Sequence, residues 1–150
     1  MHHKQIFALT LALLATPAFA RIEADDVPLR RCSVVFEMGY EAMQPERKNE
    51  TAFEALDRMA LTDPAYAKLV RKLLVSWELA DEFYLKSTSL RHNAADSEVM
   101  EKAAGTEDAE LNKLVENATS DEAMGALVDT LLARAQECWE RFPAIAQKSG

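Results

Sequence analysis

From about residue 28 onward the apolar residues return every three or four positions, the period of a helix with one buried side. No stretch alternates with the two-residue period of a strand, so the pattern predicts an all-α protein. Leu29, Cys32, Val35, Phe36, Gly39, Tyr40 and Met43 trace one side of a first helix over 28–43, with Pro28 in its first turn and Pro45 ending it. An extended leader over 21–27 precedes that helix. Thr51-Ala52-Phe53-Glu54 is a capping box that opens a short helix to about Leu61, with Phe53, Leu56 and Met59 or Ala60 inward. Asp63 as N-cap and Pro64 at the first helical position then start the longest helix, over 64–90. Its stripe is Tyr66, Leu69, Val70, Leu73, Leu74, Trp77, Ala80, Phe83 and Tyr84.

Residues 91–95 read as a loop, and Asp96 or Ser97 as the cap of a helix with a weaker inner face from Val99 to Val115. Gly105-Thr106, followed by Glu107 and Asp108, leaves a turn without an apolar position and predicts a break or kink there. Thr119-Ser120-Asp121-Glu122 is a second capping box, opening a helix through Leu127, Leu131, Ala135, Cys138, Trp139 and Phe142. Pro143 ends or kinks it, and the tail over 144–150 is expected to fray.

The first 20 residues follow a different pattern. Lys4 precedes an apolar run from Ile6 to Ala15, and Thr16-Pro17 breaks that run before the small-x-small sequence Ala18-Phe19-Ala20. This is the layout of a secretion signal cleaved after Ala20, and the run is too short to span a bilayer as a helix. Arg21 rather than Cys follows the cut, which argues against a lipid anchor. The expectation is a periplasmic or secreted protein with no membrane insertion after cleavage. Residues 21–150 would form a single helical domain with its ordered core at about 28–143.

Charge and cysteine content sharpen this picture. Loss of Lys4 with the signal takes the formal charge from −8 to −9, and no stretch gathers enough Lys and Arg to hold a phosphate backbone, so nucleic acid is not an expected partner. Acidity of this size steers encounter with a cationic partner. Cys32 and Cys138 are the only cysteines, and in an oxidising compartment such a pair is read as a disulfide. Each lies about four residues, roughly 6 Å, from a predicted helix end. Antiparallel packing of the first and last helices brings those depths together. The fold expected is therefore an up-down-up-down four-helix-type bundle with a short extra helix, its first and last helices joined by the disulfide.

Chemistry is sparse. After signal removal His92 is the single histidine, placed in a predicted loop with no nucleophile signature beside it, and metal, haem, calcium and phosphate-loop motifs are absent from the sequence. Glu78, Asp81 and Glu82 share a side of the longest helix and form a candidate acidic face. Trp77 and Trp139 lie on apolar stripes as core anchors, with the space between helices around them a candidate small-ligand pocket. Met38, Met43, Met59, Met100 and Met124 are expected to fill the core. In size, leader and helicity the chain resembles small exported helical proteins such as acid-stress chaperones and immunity proteins. The function expected is a non-enzymatic inhibitor, immunity factor or chaperone-like binder of another protein, without a cofactor; the alternative is a small-ligand or metal carrier.

Overall fold

The computed structural model describes residues 23–44, 52–89 and 93–147, which leaves the signal region and His92 outside the described residues. Among the described residues seven helices follow one another: α1 (Asp26–Ala42), α2 (Ala52–Thr62), α3 (Pro64–Leu74), α4 (Trp77–Ser89), α5 (Ala94–Asn117), α6 (Asp121–Arg141) and α7 (Pro143–Ala146). There is no strand among the described residues.

α1 is the hub. Its sequence from Cys32 to Gly39 is apolar on nearly every side, with Val34 and Met38 buried as fully as the stripe that contains Cys32 and Phe36. A helix of that kind has to be enclosed, and α3, α4, α5 and α6 all pack on it. Phe36 meets Phe83 at 4.6 Å between ring centroids and Tyr40 meets Trp77 at 5.5 Å, so α4 runs antiparallel to α1. Arg30 pairs with Glu101 and Arg31 with Glu107, and Glu41 shares a groove with Asp108, so α5 runs parallel to it. At Gly39 a Cβ would stand 2.8 Å from Cδ2 of Leu74, so α1 and α3 approach through a missing side chain.

α6 lies antiparallel to α1. At one end the Sγ atoms of Cys32 and Cys138 are bonded at 2.02 Å, with their Cα atoms 5.7 Å apart, and Arg141 pairs with Asp25 at 2.9 Å. At the other end Met43 and Val128 face one cleft. The disulfide between the first and last long helices, expected from a lone cysteine pair in an exported chain and from the matching depths of the two, is thus present, and the described elements are all helices. The core it closes includes Phe36, Leu56, Leu74, Leu79, Phe83, Met100, Leu111 and Leu131, each fully buried. Burial of one such side chain stabilises by about 1.5–3 kcal/mol.

Several local expectations need correction. α1 starts at Asp26, and the Asp26 carboxylate accepts the N–H of Glu23 at 2.9 Å, so residues 23–26 of the expected extended leader form a turn. The long helix over 64–90 is two helices, because Ser76 caps a new one by accepting the N–H of Leu79 at 3.2 Å. Asp63 caps α3 as expected, accepting from Tyr66 N–H at 2.9 Å. Asn93, not Asp96 or Ser97, caps α5, and Ser120 caps α6 through the N–H of Ala123. The tail does not fray at once after Pro143: α7 docks on α4 and α6, with Ala146 fully buried.

α5 runs unbroken through Gly105-Thr106. Glu107, read as one polar residue in a turn lacking an inward position, is the inward residue of that turn. Its side chain is only 7 % exposed and lies between two arginines, with Nε of Arg31 at 3.2 Å and Nη1 of Arg134 in direct contact. Arg134 also reaches Glu110.

Two stability measurements follow. Reducing the disulfide, which spans 106 residues of sequence separation, is expected to remove about 4 kcal/mol of unfolding free energy, read as a shifted urea midpoint. Oxidised and reduced chains with the same midpoint would refute this. For Glu107, replacing both Arg31 and Arg134 by Met strands a buried carboxylate and should cost about 3–5 kcal/mol, whereas Glu107→Met alone should be far milder. Equal urea shifts for the two variants would show that burial of the charge is not what matters.

Candidate functional site

The parallel pair α1 and α5 leaves a groove of about 300 Å³ lined by Glu37 and Glu41 from α1, Glu101 and Asp108 from α5, and one cation, Arg30. Helical spacing explains the alignment. Glu37 and Glu41 are one turn apart, and Glu101 and Asp108 are two turns apart, so each pair keeps to one side of its helix. Gly105 lies between the α5 pair, with open space where a side chain would stand. Among the described residues Glu37, Glu41 and Asp108 make no ion pair.

Arg30 is held rather than solvated. It is 8 % exposed, donates to Ser33 Oγ at 2.8 Å and stands 3.6 Å from Glu101. Ser33 in turn donates to the Arg30 carbonyl at 2.7 Å. Nε of Arg30 is buried and has no acceptor among the described residues, an orphaned donor at the edge of the groove. The guanidinium also lies over the ring of Tyr84, 5.5 Å from its centroid.

That contact ties the groove to an aromatic strip. Tyr84 is 45 % exposed and Trp77 is 56 % exposed; they stand seven residues apart on α4 and so share a side. Tyr40, between Glu37 and Glu41 in α1, packs its ring at a tilt against Trp77. Trp77 is therefore a surface residue and not a core anchor. The physical reason is the break at Ser76, which starts α4 in a register where Leu79, Ala80 and Phe83 take the inward positions.

The residues singled out from sequence separate in space. Glu78 and Asp81 are exposed and Glu82 is half-buried; none of the three is ion-paired among the described residues. Asp81 follows Trp77 by one turn and joins the aromatic side, while Glu82 lies about 140° round the helix from Trp77. Trp139 is partly buried on α6, with Lys72 Nζ 3.9 Å above its ring. The two tryptophans pack on different partners, Tyr40 on α1 and Lys72 on α3. Neither lines the acidic groove, the cleft beside Met43 or the groove along the disulfide. Glu37, Glu41, Glu101 and Asp108 escaped the sequence reading because each is one acid on an exposed helix face. Only the packing of α5 on α1 gathers them.

No group of three His, Cys, Asp or Glu side chains is placed to hold a metal ion among the described residues, and none of their helices is long and apolar enough to cross a membrane. The chain matches no protein-family model, and no curated protein or solved structure is recognisably similar to it.

One titration is perturbed. The Tyr66 hydroxyl donates to Asp129 at 2.9 Å, and burial, that hydrogen bond and the charges of Asp129 and Asp63 push its phenol from 10.0 up to about 12. The folded state favours the protonated phenol, so its stabilising contribution is full below pH 10 and disappears as pH rises through about 12. Alkaline titration followed by phenolate absorbance should show a late-ionising tyrosine that Tyr66→Phe removes and Asp129→Ala brings closer to 10. A late phenolate that survives Tyr66→Phe would assign the shift elsewhere.

Proposed function

We propose that this is an exported, non-enzymatic interaction protein whose acidic groove and aromatic edge bind a cationic segment of another protein. The reading that goes with it is a four-helix up-down bundle cut from its signal after Ala20 and held in the periplasm or secreted, where the disulfide is stable. The observation that carries the proposal is the gathering of Glu37, Glu41, Glu101 and Asp108 in one groove against Arg30, the one cation among the described residues that line it. Glu37, Glu41 and Asp108, which make no ion pair among the described residues, can steer a basic partner and fix its register. Trp77 and Tyr84 add exposed rings, the residues that anchor interfaces and accept cations on their faces.

The arrangement favours an inhibitor, immunity or chaperone-like role over catalysis because it offers charge and apolar area without a nucleophile or a base held beside one. A partner with Lys or Arg spaced along one helix face would meet the α1 and α5 acids in turn, while an apolar residue covers Trp77.

The chain from Arg21, oxidised, should bind a synthetic amphipathic helix bearing Lys on one face, with affinity falling as ionic strength rises from about 0.01 M to about 0.15 M. The triple reversal Glu37→Lys, Glu41→Lys, Asp108→Lys should weaken binding by more than about tenfold, roughly 1.4 kcal/mol. A matched reversal at exposed Glu116, Glu122 and Glu140 carries the same charge change and should do much less. Equal losses from both triples, read by calorimetry, would reduce the groove to net charge and sink the proposal.

A further inference from the structure

At the end of the α1–α6 pair opposite the disulfide lies a second concavity, a cleft of about 830 Å³ between α2, α3 and the first turns of α6. Met43, Met59, Met124 and Val128 form its apolar wall. Among the described residues the charged side chains that line it are Arg58 and Asp121, one of each sign. We propose that this cleft binds a small uncharged molecule with an extended hydrocarbon chain, a site independent of the acidic groove.

Four features support that ligand class. The volume falls in the range of small-molecule sites, about 300–1,000 Å³, which are mostly apolar with a few polar groups at one edge. Charge among the described lining residues is balanced, in a chain of net −8, which favours an uncharged occupant over an ion. The cleft extends along α2 from Ala55 to Thr62 and along α6 from Ser120 to Val128. Those spans are about 10–12 Å at the helical rise, the proportions of a chain rather than of a compact ring. Three methionines supply an unbranched, polarizable wall that repacks around a flexible occupant.

Methionine in a core needs no ligand to explain it, and Met38 and Met100 are ordinary core residues at 7 % and 1 % exposed. Met124 differs, because it lines the cleft and remains 41 % exposed. Hydroxyls of Thr62, Ser120 and Tyr66 edge the same space and would take the hydrogen bonds of a neutral polar head.

The test uses the oxidised chain from Arg21 with the neutral fluorescent probe N-phenyl-1-naphthylamine, followed by displacement with monolaurin. Saturable probe binding is expected, and monolaurin should displace the probe more strongly than laurate or dodecyltrimethylammonium. Gly125 lines the cleft, and a Cβ there meets nothing within 4 Å. Gly125→Leu should therefore fill the cleft and weaken probe binding by more than about tenfold. It should also hold or raise the melting temperature, since Leu is the better helix former. Met124→Glu, at an exposed position, should weaken binding similarly without touching the core. Glu140→Lys, at an exposed position that lines neither surface, should leave probe binding unchanged. Absence of probe binding overturns the proposal, as does undiminished binding by both cleft variants or stronger displacement by either charged amphiphile. A dimer that Gly125→Leu dissolves would assign the cleft to a second copy and overturn it as well.

Discussion

The burial of α1 on more than one side is the constraint from which the rest of this structure follows. A helix packed by α3, α4, α5 and α6 must bring apolar atoms to several faces at once, and the run from Cys32 to Gly39 does so with Val34, Val35, Phe36 and Met38. Close approach needs a small residue, supplied by Gly39 against Leu74. Polar atoms trapped in the same helix must find partners, and Ser33 and Arg30 find one another. The part of α1 left uncovered, carrying Glu37 and Glu41, becomes the floor of the acidic groove. Site and core are two faces of one helix.

Covalent and ionic links act on the end of α1 where its helix begins. The Cys32–Cys138 bond, the Asp25–Arg141 pair and the Glu107 cluster all join α1 to α5 or α6 there. The disulfide acts mainly on the unfolded chain by restricting it. Ion pairs of the exposed kind, such as Asp25–Arg141, are worth little individually. Glu107 is different, since a buried carboxylate between two guanidiniums is retained or lost as a unit and fixes how α5 and α6 turn relative to α1.

Most of the helices were legible because their stripes and caps are local. Asp63-Pro64 marks a helix start that needs nothing beyond three neighbouring residues, and the structure keeps it. The disulfide was legible for a less local reason: two cysteines at matching depths need only one antiparallel packing. What sequence could not give was whatever depends on a partner helix. Glu107 looks like a solvated acid until α1 and α6 bring Arg31 and Arg134 beside it. Trp77 looks like a core residue while the helix is read through Ser76, whose hydroxyl restarts the register. The same blindness hid the acidic groove, built from acids on two helices far apart in the chain. It also hid the cleft, in which Met43, Met59 and Met124 come from three different helices.

These two surfaces sit on unlike parts of the molecule, and the difference has a physical consequence. From Cys32 to Met43 along α1 is about 16 Å at the helical rise. Over that distance the structure passes from a cross-linked end to one where α2 packs chiefly on α3. Local opening is governed by how many buried contacts an element must break, and α2 buries only Leu56 fully while Phe53 and Leu61 remain exposed. The Cys32–Cys138 bond fixes α6 against α1, and the Arg30–Glu101 and Arg31–Glu107 pairs set α5 beside that same end of α1. At the far end α2 has fewer buried contacts to break, so that wall can shift while the links at the cross-linked end stay set.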